Sequence, residues 1–323
     1  MVGAAEVARR GPGVSHKFSL SLLVTGGAGQ LGRDLVAAAT RAGVARIRAP
    51  GSAELDVTDP VVVSEAVASA SSADRGSRLV VINCAGYTAV DAAESAGAQR
   101  AHAVNAQGPA HLARACAAHQ VHLVQVSTDY VFAGDGAGPH RVDDPAVPDT
   151  VYGQTKLAGE QAVLSSGAPA HVVRTAWLYG AHGSNFVRTM AGLATHNGSA
   201  QNGSPGGTVQ VVDDQHGNPT WTADLADGLI ALALAADQVP PGVLHCVNAA
   251  STTWFGLARA VFTELGADPD RVRPCSTAEF PRPAPRPANS VLDTASWAAA
   301  GLPELRHWRQ ALRAAATEGV FHS

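Results

Sequence analysis

The 323-residue chain is predicted to be an α/β protein: a doubly wound parallel sheet with helices on both faces, joined to a smaller mixed α/β lobe. Three observations predict it. Short apolar runs alternate with stretches of helical periodicity through the first half, which is the βαβ rhythm of a parallel sheet. The first apolar run is followed at once by glycines and then by a helix. In the second half the rhythm loosens into Gly-, Pro- and Asn-rich stretches between isolated helices.

Leu20, Leu22, Leu23 and Val24 form the first strand, and Leu31, Leu35, Val36 and Ala39 follow at helical spacing. Residues 44–49 read as the second strand, 61–70 as a helix and 79–84 as a buried third strand. A long helix over 104–119, with Leu112 and Ala115 on its apolar side, leads to a strand over 121–126. Glycines, prolines and acids make 135–149 a surface loop, before a helix over 151–164 and a strand over 172–178. Beyond these, 197–207 is rich in Gly, Ser and Asn, 222–236 and 255–265 read as helices, and 281–287 alternates proline with basic residues and should be extended.

The expected division is a disordered leader at 1–18, a dinucleotide-binding domain at 19–180 with returning segments near 209–240, and a substrate-binding lobe made of 181–208 and 241–323. The leader carries Arg9, Arg10, Gly11, Pro12 and Gly13 without periodicity. No secretory h-region and no run of roughly 18 apolar residues is present, which argues against export and against a membrane span. A net charge of -4 gives no basic footprint for nucleic acid. Cys84, Cys116, Cys246 and Cys275 are far apart with no CxxC spacing, as expected of a reducing cytoplasm.

Gly26, Gly29 and Gly32 stand between the first strand and the mouth of its helix. Glycine there permits unusual dihedrals and lets a pyrophosphate approach the helix N-terminus, whose amides favour anions. The plain alternative is an ordinary tight turn. With a strand before and a helix after, the pattern points to a Rossmann-type dinucleotide site, and its two-residue gaps resemble the extended short-chain dehydrogenases. The second strand ends in Arg48 with no acid at its tip; Arg48 either meets a 2′-phosphate, favouring NADPH over NADH, or is a solvated strand end. Asp56 and Val57 resemble that superfamily's adenine-side acid and aliphatic pair, although an N-cap is the competing role, one that Asp59 before Pro60 fits better. Asn83-Cys84-Ala85-Gly86 resembles its N-x-A-G turn beside the cofactor.

Tyr152 and Lys156 are four residues apart and share one helical face. A nearby ammonium favours phenolate, so Lys156 is expected to lower the Tyr152 pKa into a useful acid–base range. Ser127-Thr128-Asp129 follows a strand and should lie at its carboxyl end, where ligands bind in open α/β sheets.

From residue 20 onward the wording resembles the dTDP-4-dehydrorhamnose reductase family. The resemblance rests on Gly29-Gln30-Leu31-Gly32, Tyr87-Thr88-Ala89-Val90-Asp91, Ser127-Thr128-Asp129-Tyr130-Val131-Phe132, Val151-Tyr152-Gly153-Gln154-Thr155-Lys156-Leu157-Ala158-Gly159-Glu160 and Arg174-Thr175-Ala176-Trp177. It extends to Asn185-Phe186, Asp213-Asp214-Gln215, Thr253-Trp254 and Arg286-Pro287. It implies NAD(P)H-dependent reduction of dTDP-4-dehydro-L-rhamnose to dTDP-L-rhamnose, with hydride delivered to the sugar C4 and the proton from Tyr152. Lys156 would hold the cofactor ribose and Thr128 the carbonyl. Gly26, Gly29, Gln30, Leu31, Gly32, Arg48, Asp56, Val57, Ala85, Gly86, Tyr87 and Thr88 would line the cofactor site. Thr128, Asp129, Trp177, Asn185 and Arg286 would meet the dTDP-linked 4-keto-6-deoxysugar. Trp177 would stack on the sugar unless it is simply rim or core, and Arg286 would pair with the diphosphate unless it is an exposed loop arginine.

The family is also associated with Mg2+ at a subunit contact, which would imply a homodimer, but no residue here is assigned to the metal; Asp213 and Asp214 read better as a turn or cap. Gly27, Ala28 and Ala176 depart from the family's usual residues. Two rivals stand beside this reading. One is a related ketoreductase acting on another dTDP-deoxysugar. The other is a non-catalytic subunit resembling the beta subunit of methionine adenosyltransferase, against which the intact Thr128, Tyr152 and Lys156 argue.

Overall fold

The structure is a computed structural model and describes residues 19–73, 76–195 and 207–321. The leader at 1–18 and all but the last residue of the glycine-rich stretch at 197–207 lie outside the described residues. Five parallel strands, β1 (Ser19–Thr25), β2 (Arg46–Arg48), β3 (Ser77–Asn83), β4 (His122–Thr128) and β5 (Ala170–Thr175), are joined by a sixth, Gly242–His245. The spatial order is β2, β1, β3, β4, β5 and Gly242–His245, and every neighbouring pair is parallel. The chain leaves β1 for the β2 edge and then returns to place β3 on the other side of β1. That reversal opens a crevice at the carboxyl ends of β1 and β3, the place where open α/β sheets take ligands.

Strand alternation explains the two layers. Leu20, Leu22 and Val24 of β1 pack with Val80, Ile82 and Val124 under the helices Gln30–Arg41 and Thr222–Ala235. Leu23, Val81 and Leu123 point the other way, into a core with Val67, Leu112 and Val163 from the helices Pro60–Ala73, Gly108–His119 and Val151–Leu164. Both faces are covered, so the strands read as nearly continuous apolar runs. A separate core joins the helices Phe186–Thr195, Trp254–Glu264 and Trp308–Thr317 through Val187, Met190, Leu257, Val261 and Leu312. Among the described residues no helix is long and apolar enough to cross a membrane.

Three expectations are corrected. The helix expected over 104–119 begins with a π-helical turn, Ala103–Gln107, and only then continues as Gly108–His119. Single π turns cluster at functional sites, and this one aims Asn105 inward. The strand expected over 172–178 ends at Thr175, because Trp177 takes a left-handed conformation (φ 48°). Leu178–Tyr179 then pairs with Thr220–Trp221 instead. Inside the segment expected to return near 209–240, the helix Thr222–Ala235 covers the main sheet, and the added strand Gly242–His245 lies just beyond it, in what was expected to be the lobe. Val209–Val212 pairs with Val272–Cys275.

Candidate active site

Gly26 ends β1 with φ 69°, and a Cβ there would stand 2.7 Å from the Ala85 amide nitrogen. The turn after β1 is therefore pressed against the turn after β3, closer than any side chain allows. Gly32 serves the same packing from the helix, since its Cβ would lie 2.4 Å from the Gly26 carbonyl oxygen; it lines neither cavity described next. The helix Gln30–Arg41 that follows has no side-chain N-cap and no acid in its first turn. Its leading amides and dipole thus suit an anion such as a dinucleotide pyrophosphate.

Two adjoining cavities open from this turn and share Gly29, Cys84, Ala85 and Gly86. The smaller, about 320 Å³, is lined by Gly26, Asp56, Val57, Tyr87 and Arg100. Asp56 accepts from the Thr58 amide (2.9 Å) and hydroxyl (2.8 Å), and these bonds, with Arg100 at 3.7 Å, hold its carboxyl below the usual range. The N-cap role belongs to Asp59, which accepts from the Val61 and Val62 amides. Val57 is buried against Gly108. Arg48 sits at the end of β2 opposite Leu23 and is not among the residues lining either cavity.

The larger cavity, about 630 Å³, brings together Gln30, Leu31 and Thr88 with Thr128, Asp129, Tyr152, Lys156, Trp177 and Asn185. The helix Val151–Leu164 that carries Tyr152 starts cleanly because Thr150 caps it, its hydroxyl accepting from the Gly153 amide at 3.0 Å. Tyr152 is half-buried, with its ring edge-on to Tyr130. Burial pushes its phenol up to about 12, opposed by the Thr128 hydroxyl and reinforced by the Asp129 carboxylate. Lys156 does not lower it, contrary to expectation: its Nζ donates to the Val126 carbonyl at 2.7 Å. Burial brings the ammonium down to about 8, against the pull of Glu160 and Cys84. Thr128 donates to Asp129 Oδ1 at 2.9 Å, and burial raises the Asp129 carboxyl to about 6.

Below Lys156, Glu160 accepts from Arg174 through Nε (3.0 Å) and Nη2 (2.7 Å) and from the Ser127 hydroxyl (2.5 Å), all buried. This fork fastens the reacting helix to β4 and β5. The far wall is aromatic. Trp177 lies flat on Trp254, with ring centroids 3.6 Å apart, so one face of Trp177 is already covered. Its Nε1 donates to Ser290 at 3.2 Å. Asn185 donates to the Gln30 side chain and to the Gly180 carbonyl, both at 2.9 Å, and so ties the wall to the glycine-turn helix. Arg286 pairs with Asp91 at 2.9 Å and lines a third cavity, with Arg282 and Phe280, that shares Tyr130, Phe186 and Trp254 with the large one.

Sequence reasoning passed over Asn105 and Gln125, and gave Phe186 and Glu160 no role in the site. Asn105 accepts from the Tyr87 amide (2.8 Å) and donates to the Tyr87 carbonyl (3.1 Å), fixing the turn after β3. Asn105 and Gln125 had a usable signal: Asn105 stands between Val104 and Ala106, and Gln125 between Val124 and Val126, each an amide with apolar neighbours on both sides. Among the described residues no group of three or more His, Cys, Asp or Glu side chains could hold a metal ion. Asp213 accepts from Thr253, and Asp214 from the Thr277 amide and hydroxyl, so both acids serve as loop fasteners.

Residues 20–320 match the model of the RmlD substrate binding domain family. A dTDP-4-dehydrorhamnose reductase of Streptomyces griseus is 52% identical over 293 residues, covering 90% of this chain and 91% of that protein. A dTDP-4-keto-6-deoxy-D-glucose reductase of Streptomyces niveus is 43% identical over 90% of this chain and 94% of its own length. Among solved structures, dTDP-4-dehydrorhamnose reductase from Bacillus anthracis in complex with NADP has a TM-score of 0.83 at 31% identity, covering 93% of this chain and 99% of that one.

Proposed function

The chain belongs to the RmlD substrate binding domain family of dTDP-4-dehydrorhamnose reductases, and on that premise we propose that it reduces dTDP-4-dehydro-L-rhamnose to dTDP-L-rhamnose with NADPH, NADH being the alternative donor. The observation that carries the reading is the single cavity in which Tyr152, Lys156 and Thr128 meet the glycine turn. A nicotinamide bound there supplies the hydride that the sugar C4 takes up.

The chain's own residues account for the proton. Tyr152, held near 12, is fully protonated at neutral pH and gives its hydroxyl proton to the C4 oxygen as charge develops there. Thr128 has one O–H, which donates to Asp129; turning it toward the phenolate stabilises Tyr152 after transfer. Lys156 spends one N–H on Val126, which leaves its other N–H groups for the cavity and the ribose hydroxyls. Gly26, Gly29 and the first turn of Gln30–Arg41 would take the pyrophosphate, and Asp56, Val57 and Tyr87 the adenosine side. Trp177, Asn185 and Asp129 would meet the sugar, and Arg286 beside Arg282 the diphosphate.

Consumption of NADPH with enzymatically generated dTDP-4-dehydrorhamnose, run beside NADH, tests this directly. Turnover with formation of dTDP-L-rhamnose is expected, and none by the wild type would overturn it. The Streptomyces niveus relative bears on a second reading, reduction of a different dTDP-linked 4-ketosugar by the same groups. Faster turnover of that sugar in the same assay would favour it.

A further inference from the structure

Strand β4 runs through the middle of the sheet with every residue buried, where apolar side chains are the rule. Gln125 breaks that rule. Its register partner on β3 is Asn83, and the partner of Asn83 on β1 is Thr25, so three polar side chains form one row across three strands. By alternation they share the face of Leu23, Val81 and Leu123, the face that the Lys156 helix covers.

The row is bonded end to end. Thr25 Oγ1 donates to Asn83 Oδ1 (2.5 Å), Asn83 Nδ2 donates to Gln125 Oε1 (2.7 Å), and Gln125 Nε2 donates to the Val126 carbonyl (2.8 Å). Asn83 Oδ1 also accepts from the Ala85 amide, so its NH2 can only face Gln125 and the direction of the chain is settled. The acceptor at its end is the one Lys156 uses. The Leu123 amide donates to Pro169 on the β5 side, so strand alternation turns the Val126 carbonyl toward β3. The pairing of β3 with β4 has stopped at Asn83 and Gln125, and two side chains serve that carbonyl in place of a strand.

We propose that Gln125 is a positioning residue for the reduction: aligned by Thr25 and Asn83, its amide fixes the Val126 carbonyl that anchors the Lys156 ammonium, linking the turn after β1 to the reacting helix. This rests on the role given to Lys156 above. A buried carbonyl held by one donor instead of two can swing, and the ammonium that depends on it loses its place relative to the cavity.

The chain contains two lysines, Lys17 and Lys156, so enzyme labelled at lysine Cε gives two NMR resonances, and a Lys156→Met variant assigns them. Glu160 and Cys84 also face the ammonium, and neither is altered in the variants proposed. In Gln125→Glu, a carboxylate that cannot donate to the Val126 carbonyl but stands beside the ammonium should raise the Lys156 titration by a unit or more. In Gln125→Met, of similar shape, the KM for the dinucleotide should rise several-fold and kcat should fall, while the KM for the sugar nucleotide stays within about twofold. Gln125→Glu keeps an acceptor for Asn83 and remains informative if Gln125→Met fails to fold. An unmoved Lys156 titration in Gln125→Glu overturns the proposal. So does a Gln125→Met enzyme that is less stable yet keeps its kcat and its KM for the dinucleotide, the result expected of a merely structural glutamine. The titration uses neither sugar nor dinucleotide, so failure to turn over the assayed ketosugar would sink the substrate assignment alone.

Discussion

On one side of the large cavity, the turns after β1 and β3 and the end of β4 stand at the carboxyl ends of adjacent parallel strands. On the other, Trp177, Phe186 and Trp254 come from segments joined by strands of two residues, such as Leu178–Tyr179 with Thr220–Trp221 and Thr252–Thr253 with His216–Gly217. The first side is located by backbone register and by the buried Glu160–Arg174 fork. The second is located by ring stacking and by single bonds such as Asn185 to Gln30. The difference teaches that the acid–base groups are mounted where position is set by many cooperating backbone bonds. The groups that would read the sugar sit where a few side chains decide the shape, which is how one scaffold hosts related substrates.

The largest effect should come from the sheet side. Tyr152→Phe removes the transferable proton without changing ring volume, and kcat should fall on the order of 10²- to 10⁴-fold. Dinucleotide binding, followed by quenching of protein fluorescence or by calorimetry, should be retained; a variant near the wild-type rate would break the assignment of roles to the two sides.

A smaller effect is expected from the opposite wall. Trp254→Ala removes the ring on which Trp177 lies, and aromatic pairs contribute about 0.5–1.5 kcal/mol beyond their buried area. The KM for the sugar nucleotide should rise several-fold while the KM for NADPH stays put. If both rise together, the walls are not independent.

A last effect, on stability and not on rate, is expected at Asp129, where the two sides meet. Its folded carboxyl sits near 6 against an ordinary 3.8, because burial favours the neutral form. The folded state therefore binds more protons than the unfolded state between about pH 4 and 6, and the associated stability is present at low pH and lost as pH rises through 6. Asp129→Asn should stabilise the fold at pH 7.5 by up to about 3 kcal/mol, read as a higher thermal midpoint, and have little effect at pH 4. Equal shifts at both pH values would show that charge burial is not the cause.

Particular residues show how far the sequence could be read. The helix expected over 151–164 is found at those bounds, and Thr150, which the sequence reading did not use, caps it. Asp59 was legible as a cap because Pro60 follows it. Trp177 was not legible as a break in the fifth strand: a left-handed tryptophan depends on Ser290 and Trp254, which lie far away in the chain. Gly242–His245 was missed as a sheet strand because four residues are too few to show a period. The pKa of Tyr152 was expected to move down and is held up, since the four-residue spacing to Lys156 predicts proximity and says nothing of where Nζ spends its bond.

By itself the sequence determined the βαβ order, the glycine turn at the mouth of the first helix, the Tyr152–Lys156 pair and the family, because these follow from short-range spacing and local propensity. Only the tertiary structure decided which carbonyl holds Lys156, that Arg286 faces Asp91, and that Gln125 stands in register with Asn83 and Thr25. Those outcomes depend on strand register and on long-range partners, whose positions are known only once the distant segments have packed.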